Sequence, residues 1–188
     1  MYWVWATEPD VETDAQIEEC PAIMQESDLQ FNVGTRMAAQ VPTVVFELTP
    51  DLYGALTDDL YAPGARGLVL SRRLCDLLRS AGVDNVDYYP CIIRDLVKGQ
   101  DLEGYSIANV IGCVSCLDLD SSVVSQDSLG NIFSIQKMAI DESRALGLLV
   151  FRLAEFPPLV IVHESVKSAV MAAGMTGLKF YKPEEFVV

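Results

Sequence analysis

The sequence predicts an α+β fold, with a mixed and largely antiparallel sheet and a few flanking helices. Three observations support this prediction. The chain has 188 residues, 51% of them apolar, which is enough for a large core without disulfides or metal. Strand-like runs rich in β-branched residues group in the middle of the chain. Helical spacing of apolar residues occurs at the flanks, inside two strand–helix–strand units.

The first third of the chain predicts two strands and little helix. Residues 2–5 alternate bulky, β-favouring side chains, and residues 43–49 form a second strand that Pro50 stops. The acidic residues 8–28 have weak periodicity and predict a loop, with at most a short helix. Residues 58–67 are rich in Asp, Pro and Gly, which predicts a connection.

A strand–helix–strand unit follows this connection. Residues 68–70 are a short apolar strand, and Ser71 is a good helix N-cap. Leucines at helical spacing come next, and Gly82 is placed to close the helix as its C′ glycine. Residues 86–90 then return as a strand. The expected unit is therefore compact and has defined helix ends.

The same pattern returns 92 residues later, from the strand at residues 160–162 to the strand at residues 178–181. Without gaps, four pairs align: Leu74 with Val166, Leu78 with Val170, Gly82 with Gly174, and Tyr89 with Tyr181. Two readings stay open, a degenerate internal repeat or two independent uses of one motif. We favour independent use, because the match is mostly apolar patterning.

Between the two units the sequence predicts further strands. The longest run, residues 105–117, is rich in β-branched residues, and residues 91–93 continue the strand that begins at residue 86. Residues 130–135 and 148–153 complete the set, with turn-forming residues at 127–131. These runs supply the strands of the predicted sheet.

The charge distribution restricts the possible partners. With 13 basic and 27 acidic residues, the net charge is -14, which argues against nucleic-acid binding and against docking on anionic membranes. Residues 1–62 carry twelve acids against Arg36, a net of -11. We place a soft boundary there, between an acidic N-terminal lobe (1–62) and an α+β core domain (63–188). The acidic face either keeps the protein in solution or contacts a partner.

No targeting or membrane-spanning segment is expected. The first residues lack a basic region followed by a long apolar one, and charges and prolines interrupt the longest apolar stretch, residues 148–162. Five cysteines at irregular spacing do not predict a disulfide framework. A reducing cytoplasm is the expected location.

Two features of the sequence are candidates for catalytic or metal chemistry. Cys113 and Cys116 form a C-x-x-C, but strand alternation would send them to opposite faces, so buried structural thiols are the preferred reading over a redox or zinc site. His163 is the single histidine. It stands at a strand-to-helix junction, where a helix-start role is sufficient, and a catalytic role is the alternative.

Three further features each have a structural and a functional interpretation. Asp118 and Asp120 predict a strand-end turn, or else an ion site. Arg152 is expected to point outward from a half-solvated sheet, or to pair with Asp118 or Asp120. Trp3 and Trp5 lie on the same face of one strand, where they either pack in the core or anchor a partner.

From residue 68 onward the sequence resembles a bacterial immunity-protein family of polymorphic toxin systems, over roughly residues 68–180. The order and spacing of several segments carry this resemblance, while residues 1–62 add little to it. The segments are Leu68-Val69-Leu70-Ser71 with its helix, Tyr105 through Val110, Leu117-Asp118-Leu119-Asp120-Ser121-Ser122, Phe151-Arg152-Leu153, and Gly174-Met175-Thr176-Gly177-Leu178-Lys179-Phe180.

The resemblance implies a stoichiometric inhibitor that binds a cognate toxin, without catalytic residues, cofactor or metal. Combined with the acidity, it predicts a basic toxin, for example a nuclease, whose cleft the acidic face would cover. A small-molecule-binding or regulatory domain and a hydrolase that uses His163 or the Asp118/Asp120 pair are the alternatives. The oligomeric state is left open. The predicted contact residues are Glu8, Asp10, Glu12, Asp14, Glu18, Glu19, Asp58, Asp59, Trp3 and Trp5.

Overall fold

The computed structural model describes residues 1–38 and 40–188. Twelve strands and three α-helices lie in this part of the chain, and none of these helices has the length and apolar character to cross a bilayer. In chain order the elements are β1 (Tyr2–Thr7), α1 (Ala22–Glu26), β2 (Val44–Leu48), β3 (Asp59–Leu60), β4 (Leu68–Ser71), α2 (Arg72–Ser80), β5 (Val86–Asp95), β6 (Gln100–Val110), β7 (Cys113–Val114), β8 (Val123–Gln126), β9 (Ile132–Lys137), β10 (Val150–Leu153), β11 (Val160–His163), α3 (Glu164–Ala172) and β12 (Leu178–Tyr181).

The strands form two five-stranded sheets and a separate hairpin, β8–β9. Sheet I has the order β2-β5-β6-β4-β3, and sheet II the order β12-β1-β11-β10-β7. Neighbouring strands are antiparallel except for the pairs β2–β5 and β7–β10. The predicted α+β class with a largely antiparallel arrangement is confirmed, although the strands divide into two main sheets.

The N-terminal residues contribute strands to both sheets. β1 lies in sheet II, between β11 and β12, while β2 and β3 belong to sheet I. Residue 62 thus marks a change in charge, and strands from both sides of it pair within each sheet. The term acidic lobe thus refers to the concentration of carboxylates in residues 1–62 of the sequence, and these residues share both sheets with the rest of the chain.

The two strand–helix–strand units, β4–α2–β5 and β11–α3–β12, have the same architecture. Their first strands and their helices begin and end at positions 92 residues apart. In each unit a third strand lies between the two parallel ones: β6 lies between β4 and β5, and β1 lies between β11 and β12.

The registers of the two units also correspond. Leu70 pairs with Ser106 in sheet I, and the equivalent Val162 pairs with Trp3 in sheet II. Tyr89 pairs with Ile107, and the equivalent Tyr181 pairs with Val4. This agreement in pairing favours the internal repeat over our preferred independent use, with β1 completing the second copy from the opposite end of the chain.

The predicted helix ends are confirmed in both units. The Ser71 hydroxyl accepts a hydrogen bond from the Leu74 N–H at 3.2 Å, and His163 Nδ1 accepts one from the Ser165 N–H at 3.3 Å. Gly82 and Gly174 follow the C-caps with φ of 88° and 60°, a backbone region that glycine enters at low cost.

Three clusters of buried side chains form the core. The central cluster joins the inner faces of both sheets with α2 and α3, for example through Trp5, Leu74 and Val166. A second cluster packs residues 15–31 on the outer face of sheet I. The third places the β8–β9 hairpin against sheet II. Each sheet therefore has one face against the helices and one face covered by a less regular segment.

Two predicted segments differ from the structure. The run at residues 105–117 is not one strand, because Gly112 adopts a φ of 104° and separates β6 in sheet I from β7 in sheet II. The connection at residues 58–67 contains the short strand β3, which pairs with β4. Local composition missed β3 because the strand is only two residues long and lies in a segment whose Asp, Pro and Gly content is unfavourable for strands.

Candidate partner-binding surface

Three of the predicted contact residues are buried, so their prediction as contacts was wrong. Trp5 and Asp58 are almost inaccessible and Asp59 is fully so. The Trp5 indole N–H and the Thr7 hydroxyl each donate to Asp59 Oδ2 at 2.8 Å. Burial raises the pKa of the Asp59 carboxyl to about 7. This group joins β1 of sheet II to β3 of sheet I.

The neighbouring Asp58 also joins the two sheets. It accepts hydrogen bonds from the Ser71 hydroxyl at 2.7 Å, from the Arg73 guanidinium at 3.1 Å and from the Thr176 N–H at 3.1 Å. A count of charges along the sequence cannot distinguish such internal carboxylates from exposed ones, and this explains the error.

Trp3 packs against α3 and is half-buried. Its indole N–H donates to Glu164, and the Lys167 ammonium lies 3.2 Å from the centre of its ring. The core-packing reading therefore describes both tryptophans, since Trp3 borders the central cluster that contains Trp5.

The other predicted acids do lie at the surface. Of the twelve acids in residues 1–62, ten are exposed or half-buried, and the two exceptions are Asp58 and Asp59. Arg36, the single base of this segment, pairs with Asp87 at 3.5 Å. Glu8 accepts hydrogen bonds from Lys179 at 2.6 Å and from Tyr181. The surface supplied by this segment is therefore strongly negative.

The structure brings together two pairs of carboxylates that are distant from each other in sequence. Two neighbouring clefts, with volumes of about 310 and 390 Å³, lie between β2 and residues 16–23. Glu18, Glu19, Glu47 and Asp51 line them. We call these clefts the β2 groove. Glu47 and Asp51 were absent from the predicted contacts, because their approach to Glu18 and Glu19 depends on the position of β2 at the sheet edge.

The two cysteines of the C-x-x-C have different environments. Cys116 is buried as predicted, and burial raises the pKa of its thiol to about 12. Cys113 is exposed, so its prediction as a buried thiol was wrong. The two-residue strand β7 ends at Val114, and the Cys113 thiol donates to the Val33 carbonyl at 3.4 Å. Within residues 1–38 and 40–188, no group of three His, Cys, Asp or Glu side chains is placed to hold a metal ion.

His163 and Asp118 have the structural roles that were predicted for them, a helix start and a turn. His163 caps α3, and its Nδ1 also lies 2.9 Å from the Ser165 hydroxyl. Asp118 Oδ1 accepts from the N–H groups of Asp120 and Ser121, which forms a turn. The Ser121 hydroxyl and these N–H groups lower the pKa of the Asp118 carboxyl.

Arg152 contradicts both predictions made for it. Its side chain neither points outward nor pairs with Asp118 or Asp120, because β10 lies inside sheet II and all four of its residues are buried. The guanidinium donates to the carbonyls of Phe31 at 2.8 Å, Pro157 at 3.0 Å and Pro158 at 3.2 Å. Burial lowers its pKa to about 10. This charge links the outer segment of sheet I to sheet II.

One further cleft bears on the small-molecule alternative. It has a volume of about 560 Å³ and lies between α2 and the strands β5 and β6. Arg72, Arg79, Asp76 and Glu103 are among its lining residues. Charges of both signs therefore line this cleft, whereas small-molecule sites are lined mainly by apolar and aromatic groups.

The comparison with protein families covers nearly the whole chain. Residues 6–185 match the immunity protein family Imm11. The match includes most of the N-terminal third, which the sequence resemblance had left out. No curated protein matches the chain. Because the match extends over nearly all of its residues, the chain belongs to the immunity protein family Imm11.

Proposed function

We propose that this chain binds and neutralises a cognate bacterial toxin domain by stoichiometric contact, and that the toxin is a basic protein such as a nuclease. The observation that carries the proposal is that ten of the twelve carboxylates in residues 1–62 are exposed or half-buried. Membership of an immunity protein family supports a toxin as the partner. The negative surface supports the proposal that the toxin is basic.

The physical argument is electrostatic. A nuclease needs a positive cleft for its phosphate substrate. A protein with a net charge of -14 would be steered to that cleft during diffusion and would cover it without turnover of a substrate. We also place the protein in the cytoplasm, where the five free cysteines stay reduced.

Co-expression and binding kinetics test the proposal. The toxin domain encoded beside the gene for this chain should kill cells when expressed alone, and co-expression of the chain should restore growth. The purified proteins should form a complex of fixed stoichiometry. Their association rate should fall at least about tenfold between 10 mM and 150 mM salt, because counterions screen long-range attraction. Failure to rescue would reject the immunity role, and a salt-independent rate would reject the basic partner.

A further inference from the structure

We infer that the toxin docks on the free edge of β2, where an extended basic segment of the toxin adds to sheet I as a sixth strand. This inference rests on the proposed function and specifies the site and the chemistry of contact. Addition of a strand to an exposed sheet edge is a recurrent way of recognising an extended segment.

The position of β2 makes its outer edge available. β2 is the terminal strand of sheet I and pairs with β5 on one side. Val44, Phe46 and Leu48 are buried in the core, whereas Val45 is half-buried and Glu47 is exposed. In the described part of the chain, no backbone hydrogen bond joins β2 to residues 16–23 across the β2 groove. An incoming strand could therefore bond to the outward N–H and C=O groups of β2 and lie in the β2 groove.

The β2 groove also has a defined charge. Glu18, Glu19 and Asp51 form no ion pair within residues 1–38 and 40–188, and Glu47 lies 3.9 Å from Arg94. No lysine or arginine is among the residues that line the two clefts. A segment with alternating Lys or Arg would place its charges beside these carboxylates, because successive side chains of a strand point to opposite faces.

The same charges select against other occupants. A second copy of this edge would bring glutamates close to glutamates, and like charges on paired strands are unfavourable. Pro42 and Pro50 flank the strand and restrict the length of edge that can pair. The five-residue strand β2 corresponds to about 17 Å of extended partner, at roughly 3.4 Å per residue. The edge is thus suited to a short basic strand.

Matched charge-reversal variants test the site. Glu18→Lys/Glu19→Lys changes two groove residues, and Asp120→Lys/Glu184→Lys changes two surface carboxylates of the chain outside it. Both variants change the net charge from -14 to -10, so they weaken general steering equally. For the purified toxin domain, the groove variant should raise Kd at least about tenfold more than the control variant does.

Hydrogen exchange gives a second readout that needs no substitution. On addition of the toxin domain, those amides of Val44–Leu48 that point away from β5 should become protected, because the free edge acquires hydrogen bonds. If a complex forms but these amides stay unprotected, or if both double variants bind equally, the edge site is wrong and the proposed function stands. If no complex forms, both the site and the proposed function are rejected.

Discussion

Besides Asp58, which pairs with Arg73, the buried residues Asp59 and Arg152 connect the two sheets without an ion pair. Asp59 accepts from an indole and a hydroxyl on its Oδ2, while its Oδ1 has no hydrogen-bond partner in the described structure. Arg152 donates to three backbone carbonyls. Neither side chain is paired with an opposite charge. We therefore expect the ionisation of Asp59 to lower stability, and the replacement of Arg152 to lower it as well.

Asp59 should make stability depend on pH with an unusual sign. Its pKa is about 7 in the folded protein and near 4 when unfolded, so the folded state binds the proton more tightly. Its contribution to stability is therefore largest below about pH 4 and is lost as the pH rises to about 7. Asp59→Asn removes this titration.

The free energy of unfolding of Asp59→Asn, relative to the wild type, should thus rise between pH 4 and 7 by at most about 4 kcal/mol. Urea denaturation at a series of pH values measures this difference, in which the other carboxylates cancel. If the free energies of unfolding of the two proteins changed in parallel with pH, ionisation of Asp59 would not destabilise the folded state, and the prediction would be wrong.

Replacement of Arg152 should be strongly destabilising. Arg152→Met removes the donors and leaves the Phe31, Pro157 and Pro158 carbonyls without them, which we expect to cost about 3 kcal/mol or more. Arg144→Met is the matched control, because Arg144 is exposed and pairs with Asp141 at the surface. Its cost should be about 0.5 kcal/mol. Urea denaturation distinguishes the two, and equal midpoints would contradict a structural role for the buried guanidinium.

At the scale of elements, the connection from α3 to β12 is fitted closely against β3. The Asp59 N–H donates to the Thr176 carbonyl at 3.0 Å, and the Glu8 N–H donates to the Gly177 carbonyl at 2.9 Å. Gly177 has a φ of 81°, and a Cβ there would clash with the Asp59 carbonyl and lie 2.5 Å from the Thr57 hydroxyl. The two sheets therefore approach each other closely at this glycine.

A comparison of Gly174 with Gly177 separates two effects of substitution, the strain of a positive φ and the steric clash with β3. Gly174 has a φ of 60° but open space around its Cβ position, so Gly174→Ala should cost about 1 kcal/mol. Gly177→Ala adds the clash with β3 and should cost at least about 3 kcal/mol. Thermal and urea unfolding measure both values. Similar costs for the two variants would mean that β3 and β12 separate easily.

At the scale of the whole molecule, we propose that the chain unfolds as one unit. β1 completes sheet II and also contacts Asp59 of sheet I, so neither sheet can lose it without exposing the central cluster. Val4→Ala, at a fully buried position of β1, should lower the free energy of unfolding by about 2 kcal/mol.

Two probes check this cooperativity. Tryptophan fluorescence reports β1, which carries both tryptophans, and far-UV circular dichroism reports both sheets. The two signals should give one urea midpoint, and Val4→Ala should shift them together. Separate midpoints would show instead that residues 1–62 or one of the sheets unfolds independently.

The sequence alone determined the local units and the overall charge of this protein. The ends of α2 and α3 were predictable because Ser71, Gly82 and the apolar spacing between them act within about ten residues. The acidic N-terminal third was evident from counting. These features depend on neighbouring residues or on composition, and the fold leaves them unchanged.

The tertiary structure alone decided which charges face the solvent and which strands meet. Asp59 and Glu19 are both acids of the same segment, but pairing with β4 buries the first and the β2 groove exposes the second. The insertion of β1 between β11 and β12 joins residues between 155 and 177 positions apart. Such pairings arise from the burial of apolar surface shared by distant segments, and no local pattern specifies them.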